Sequence, residues 1–191
     1  MTITIRTIEK KGIEILWNTK RILFDVENPL KKADIILQSG LFETNNSNLK
    51  KNGTIISPSL SEEERTLCLP HNKTIEIQSF IIKAIPAYRI QKVFDLSKTS
   101  TNGYSITNSE TKESVYLAGP TDVIPEMNII ECDYAILPTG GECMDLFESL
   151  AATNVIHAKV FIPHSYDEDK TERELSCERF TKKCIYESKN V

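Results

Sequence analysis

The chain has 191 residues, with 23 lysines and arginines against 27 aspartates and glutamates, for a net charge of −4. Hydrophobic residues make up 40% and charged residues 26%, the balance of a folded globular chain rather than a disordered one. That acidic balance argues against a nucleic-acid surface, although a local basic patch is possible around Lys31-Lys32 and Lys50-Lys51, and no apolar run approaches the ~20 residues that cross a bilayer.

Thr2–Ile8 alternates polar and apolar residues, as a half-buried strand does. Ile13–Trp17 and Arg21–Asp25 flank Asn18-Thr19-Lys20, a hairpin signal. Asp34–Gln38 (DIILQ) reads as a short, fully buried strand. The Asn-rich stretch GLFETNNSNLKKNG reads as a loop or short irregular helix, and Ser61-Glu62-Glu63-Glu64 matches a capping box. Thr74–Ile85 alternates well enough for two strands. Gly103–Thr107, Ser114–Ala118 and Asp133–Leu137 give three more. Cys143–Thr153 carries helix formers with Met144, Phe147, Leu150 and Ala151 on one stripe. Lys159–Ile162 reads as a last strand and Glu172–Tyr186 as a charged terminal helix. About ten short strands and few helices imply one α/β domain over residues 1–191, built mainly from strands.

Five cysteines, at 68, 132, 143, 177 and 184, include no CxxC pair, and MTITIRTIEKKG is charged within ten positions. This pattern reads as reduced thiols in a cytoplasmic protein without a secretory signal. The stretch LAGPTDVIP, residues 117–125, is the most constrained on paper. Gly119 permits a tight turn, and Pro120 fixes φ and removes a backbone donor at the end of an apolar strand.

Four stretches in order resemble the metallo-β-lactamase fold, in its branch of small metal-dependent hydrolases that includes the ascorbate-phosphate lactonases. They are RILFD (21–25) with Asn28-Pro29 and ADIIL (33–37); IKAIPAY (82–88); GYSI (103–106) with VYLAGPTD (115–122) and IPEM (124–127); and DYAILPTGGECMD (133–145) with VFIPHSY (160–166). The resemblance implies a compact αββα four-layer sandwich. It also implies a two-metal hydrolytic centre, using zinc or manganese, whose metals share a hydroxide.

The ligands of that centre are largely absent at the matching positions. Where the family has HxHxDH, this chain has Gly40 and Phe42 at the histidine positions and Thr44 and Asn45 at the next two. Pro120 stands at the bridging aspartate, and of the ligand positions only His164 keeps a metal-binding side chain. The whole chain holds three histidines, His71, His157 and His164, while a centre of this kind needs several converging donors. The resemblance therefore implies a fold relative without its metal cofactor, a pseudoenzyme acting through ligand or protein binding. If it is active at all, the implied class is a hydrolase with a single relocated metal or a metal-free site of His164, Asp122 and Cys143.

Each candidate has a plainer reading beside it. His164 is a base or ligand, or a hydrogen-bonded strand end. Asp122 is catalytic, or a turn carboxylate. Cys143 is a nucleophile, or a small hydrophobe. Tyr88 and Arg89 contact an anion, or decorate a loop. Gly140 and Gly141 offer backbone amides to an anion, or simply turn. The expected partners are a small anionic ligand or a protein, including a second copy of the chain or an active homologue in a pair.

Overall fold

The computed structural model describes residues 3–8, 12–26, 32–40, 53–59, 66–90, 101–140 and 143–164. The N-terminal alternation builds a meander of β1 (Ile3–Ile8), β2 (Gly12–Trp17) and β3 (Lys20–Phe24), paired antiparallel. The β2–β3 turn places Asn18 at φ 56, a left-handed conformation that asparagine tolerates. Pairing then changes sense. β4 (Ile35–Leu37), β5 (Thr54–Ser57) and β6 (Thr66–Cys68) each run parallel to the strand before, giving the order β1-β2-β3-β4-β5-β6. Asp34, the first residue of the expected strand, stands just outside β4. Its carboxylate accepts the Arg21 N–H at 2.9 Å and Lys20 Nζ at 3.1 Å. Burial alone would raise its pKa, but these two donors hold it below the usual value.

The second half repeats the scheme. β7 (Thr74–Ile77), β8 (Phe80–Pro86), β9 (Asn102–Asn108) and β10 (Ser114–Leu117) form an antiparallel meander, with Gln78 at φ 55 where the predicted pair of strands divides. β11 (Glu131–Pro138) and β12 (His157–His164) then add in parallel, for the order β12-β11-β10-β9-β8-β7. A 3-10 turn (Pro125–Ile129) and α1 (Leu146–Val155) make the connections in this half.

Period-two patterning explains the layers. Ile13, Ile15, Trp17, Ile22, Phe24 and Leu37 of the first sheet meet Phe80, Ile82, Tyr104, Ile106, Val115 and Leu117 of the second in one buried core. Trp17 and Phe80 pack with ring centroids 5.3 Å apart. The other face of the second sheet, with Tyr116, Ala135 and Leu137, packs with Met144, Ala152 and Ile156 around α1. The other face of the first sheet is buried too, through Leu23, Ile36 and Ile55. Burial on both faces of both sheets is what an α/β sandwich requires.

Twelve strands stand among the described residues. β5 and β6 were not anticipated, because TIIS and TLC are too short to show a period. The helix differs more. It begins at Leu146, not Cys143, because Asp145 and Glu148 form a capping box: Asp145 Oδ1 accepts Glu148 N–H at 2.8 Å, and Glu148 Oε2 accepts Asp145 N–H at 2.9 Å. The buried face is Ser149, Ala152 and Thr153, while Phe147 of the expected stripe is 69% exposed. Small residues let the helix approach β12, and the Ser149 hydroxyl donates to the Pro138 carbonyl at the end of β11. The Ser61 capping box and the Glu172–Tyr186 helix lie outside the described residues. None of the described helices is long and apolar enough to cross a membrane.

Candidate functional site

In each sheet the strand sense switches once, at β3 and at β10. The carboxyl ends of strands beside such a switch are where open α/β sheets build their sites. Here those ends gather at one edge: Asp25 after β3, Ser39-Gly40 after β4, Ala87–Arg89 after β8, Gly119-Pro120 after β10, Thr139-Gly140 after β11, and His164 ending β12. Asn102 N–H donates to the Ser39 carbonyl at 2.8 Å and so ties the two sheets at this edge.

Gly119 is required where it stands. Its φ is +70, and a Cβ there would lie 2.9 Å from the Asn102 carbonyl oxygen. Gly103 is as tightly set, with a Cβ meeting the Ala118 oxygen at 2.6 Å. Gly119→Ala is expected to cost about 1–3 kcal/mol in urea unfolding, through backbone strain and displacement of β9. A cost below the error of the measurement would show that the turn is not held this way.

Pro120 is buried beside this glycine, and Gly40, at φ 90, is exposed. Neither has a side-chain donor for a cation. Phe42, Thr44, Asn45 and Gly141 lie outside the described residues. His164 is 2% exposed, with Nδ1 at 3.5 Å from Thr7 Oγ1, so its ring faces β1. His71 Nε2 bonds the Thr101 carbonyl at 2.8 Å, next to β9. β9 and β12 are three strands apart, about 14 Å at ordinary strand spacing, too far for two imidazoles to share one ion. His157 sits at the start of β12, on the opposite edge. Among the described residues, no three of His, Cys, Asp or Glu converge as a metal site.

Asp122 is engaged locally, its Oδ2 accepting Ile90 N–H at 2.7 Å. Tyr88 is fixed on both sides: its N–H donates to Thr121 Oγ1 at 3.1 Å and its hydroxyl to Glu126 Oε2 at 2.9 Å. Arg89 is buried at the end of the same segment. Cys143 is half-buried and outside any disulfide, and Gly140, at φ 105, closes a turn through its N–H to the Met144 carbonyl at 2.7 Å. The structure thus places Tyr88, Arg89, Pro120, Asp122 and Gly140 around one strand-end cluster, with His164 turned toward β1.

The sequence reading did not single out Asp25, Thr101, Asn102 or Tyr104. Asp25 is buried at φ 49, and its Oδ1 accepts Ser39 N–H at 2.7 Å. Burial raises its pKa from the usual 3.8 to about 7, against the lowering effect of the Ser39 bonds. Tyr104 donates to the Gln38 carbonyl at 2.7 Å, and burial pushes its hydroxyl pKa well above the usual range. At the opposite edge a groove of about 860 Å³ is lined by residues including Glu131, Cys132, Asp133, His157 and Lys159. Its Cys132 thiol is pushed up to about 12 by burial, which leaves it protonated and unreactive.

The chain matches no protein-family profile and no curated protein in sequence. Solved structures do resemble it. A protein from Parabacteroides distasonis described as a metal-dependent hydrolase is 23% identical, with a TM-score of 0.72 over 93% of this chain and 88% of its own. A metallo hydrolase from Ignicoccus hospitalis is 17% identical, with a TM-score of 0.75 over 96% and 94%. A Thermotoga maritima protein described as a zinc-dependent hydrolase of the metallo-β-lactamase superfamily is 17% identical, with a TM-score of 0.65 over 88% and 78%. The chain has the metallo-β-lactamase fold.

Proposed function

We propose that this metallo-β-lactamase-fold protein acts by binding, at the strand-end edge where its fold relatives hold metals, and not by metal-dependent hydrolysis. One observation carries the reading: the residues at that edge do not fit a metal. Gly40 has no side chain to offer, the Pro120 ring carries no donor atom, and His164 is a single imidazole whose Nδ1 lies 3.5 Å from Thr7 Oγ1. An isolated imidazole is a weak site for a divalent ion, because affinity comes from several donors meeting at fixed distances. An edge that could not hold an ion would lack the group that polarises a carbonyl or acidifies a water in the fold's enzymes.

One feature favours a small anion as the ligand: Arg89 brings a guanidinium to the edge, suited to carboxylate or phosphate. A protein partner at the same edge, whether a second copy or an active homologue, is the alternative occupant. If the chain is active, hydrolysis is the class its fold points to, through a relocated metal or through His164, Asp122 and Cys143.

Elemental analysis of the purified, dialysed protein tests this directly. The expected result is zinc, manganese and iron all well below stoichiometric. A full equivalent of any of them surviving dialysis would overturn the proposal in favour of the hydrolase. Co-purification of a histidine-rich homologous chain would identify the paired form of the binding role.

A further inference from the structure

We propose that Thr121 and Asp122 are positioning residues: they tie segment 88–90 to the turn at 119–122 and so set where Arg89 meets a small phosphate or carboxylate. This rests on the anion-binding reading above, and it gives Asp122 a part other than acid or base.

Ala87 N–H still donates to the Thr101 carbonyl, at 3.2 Å, in continuation of the β8–β9 pairing. Beyond it the turn after β10 takes over. Tyr88 N–H donates to Thr121 Oγ1 at 3.1 Å, and the Tyr88 carbonyl accepts Asp122 N–H at 3.0 Å. Ile90 N–H donates to Asp122 Oδ2 at 2.7 Å. The residues on both sides of Arg89 are therefore held by one turn, through the side chains of Thr121 and Asp122. The turn is a firm base. Thr121 is fully buried, its carbonyl accepts Met144 N–H at 3.3 Å, and Gly119 has no room for a Cβ against the Asn102 carbonyl oxygen.

The backbone matters here because Arg89 is itself buried, at 8% exposure. A buried side chain has few alternative rotamers, so the guanidinium goes where its backbone puts it. Arginine grips phosphate or carboxylate through a planar fork of N–H groups, and a fork tolerates less misplacement than the point charge of a lysine. The charge of Asp122 works against an anion nearby. Its worth to binding lies in the hydrogen bond to Ile90, and that separates positioning from charge.

The test titrates inorganic phosphate and, separately, acetate into the full chain at constant ionic strength and about pH 7, where both are ionised. Binding is followed by NMR chemical shifts, and each variant's thermal midpoint is measured alongside. Arg89→Gln is expected to raise Kd more than about tenfold. Asp122→Ala frees one tie. If the segment then keeps its binding pose about a tenth to a third of the time, Kd rises about 3- to 10-fold. Asp122→Asn keeps the acceptor for Ile90 and drops the repelling charge, so its Kd is expected at or below that of wild type. Thr121→Val, close in shape, is expected to repeat the loss at the other tie. A merely structural role would lower the midpoint of Asp122→Ala and leave its Kd unchanged. That result would overturn the inference, as would an Asp122→Asn Kd as high as that of Asp122→Ala. The reading beneath fails in a different way, taking the inference with it: wild type binds neither anion, or Arg89→Gln binds as well as wild type.

Discussion

Stability is expected to fall by on the order of 4 kcal/mol as pH rises from about 4 to about 8, and Asp25→Asn is expected not to share that fall. The reason is the burial of the Asp25 carboxyl, which raises its pKa from the usual 3.8 to about 7. Between those two values the folded protein keeps a proton that the unfolded chain has released. Unfolding then releases a proton, so each unit of rising pH favours the unfolded state by about 1.4 kcal/mol. The contribution is fully present below the unfolded value and lost as pH passes through 7. Other carboxylates, paired with cations, shift the opposite way. Glu14, Asp34 and Asp133 have lowered values, so their stabilisation is lost as pH falls, below the window in which Asp25 acts. Urea unfolding of wild type and Asp25→Asn across this range isolates the difference. Parallel profiles would mean that Asp25 is ionised and compensated at pH 5, contrary to its surroundings in the fold.

That residue also marks a limit of reading from sequence. Strands with clean alternation, such as β1 and β2, were visible because one face meets a core and the other does not. The strand-end positions Gly119 and Pro120 stood out by composition and order, since a Gly-Pro turn after an apolar run is rare without a structural cause. Asp25 looked like the polar last residue of RILFD. Its burial comes from β4 and β9, which are distant in sequence, and the Ser39 bond that anchors it depends on a parallel crossover. β5 is legible only through its neighbours, because a four-residue strand buried on both faces has no period. For α1 the usable signal was Asp145-Leu146-Phe147-Glu148. The apolar positions pointed to a stripe containing Phe147, but packing against β12 selected small residues instead. His164 was visible as a histidine at a strand end, while its direction toward Thr7 depends on β1 lying over β12.

Glu14→Leu is expected to destabilise the protein by about 2–4 kcal/mol, while Glu14→Leu combined with Arg21→Leu recovers most of the loss. Glu14 projects from β2 to the outer face of the first sheet, and its side chain is fully buried. Arg6 stands directly opposite on β1 and Arg21 diagonally on β3, and both guanidinium Nε groups donate to its carboxylate. Burial alone would raise the Glu14 pKa, but the two arginines hold it below the usual carboxylate range. The arginines differ in what they lose. Arg6 is 47% exposed and can turn to water, while Arg21 is 14% exposed and cannot. Removing the carboxylate therefore strands one cation in a nearly dry place, which costs more than the net worth of the pair. Replacing Arg21 as well removes the stranded charge and extends the apolar patch of Leu23, Ile36 and Ile55 on that face. A double variant as unstable as the sum of its two single variants would show that the two side chains act independently, and that the charge on this face is not what the arginine compensates.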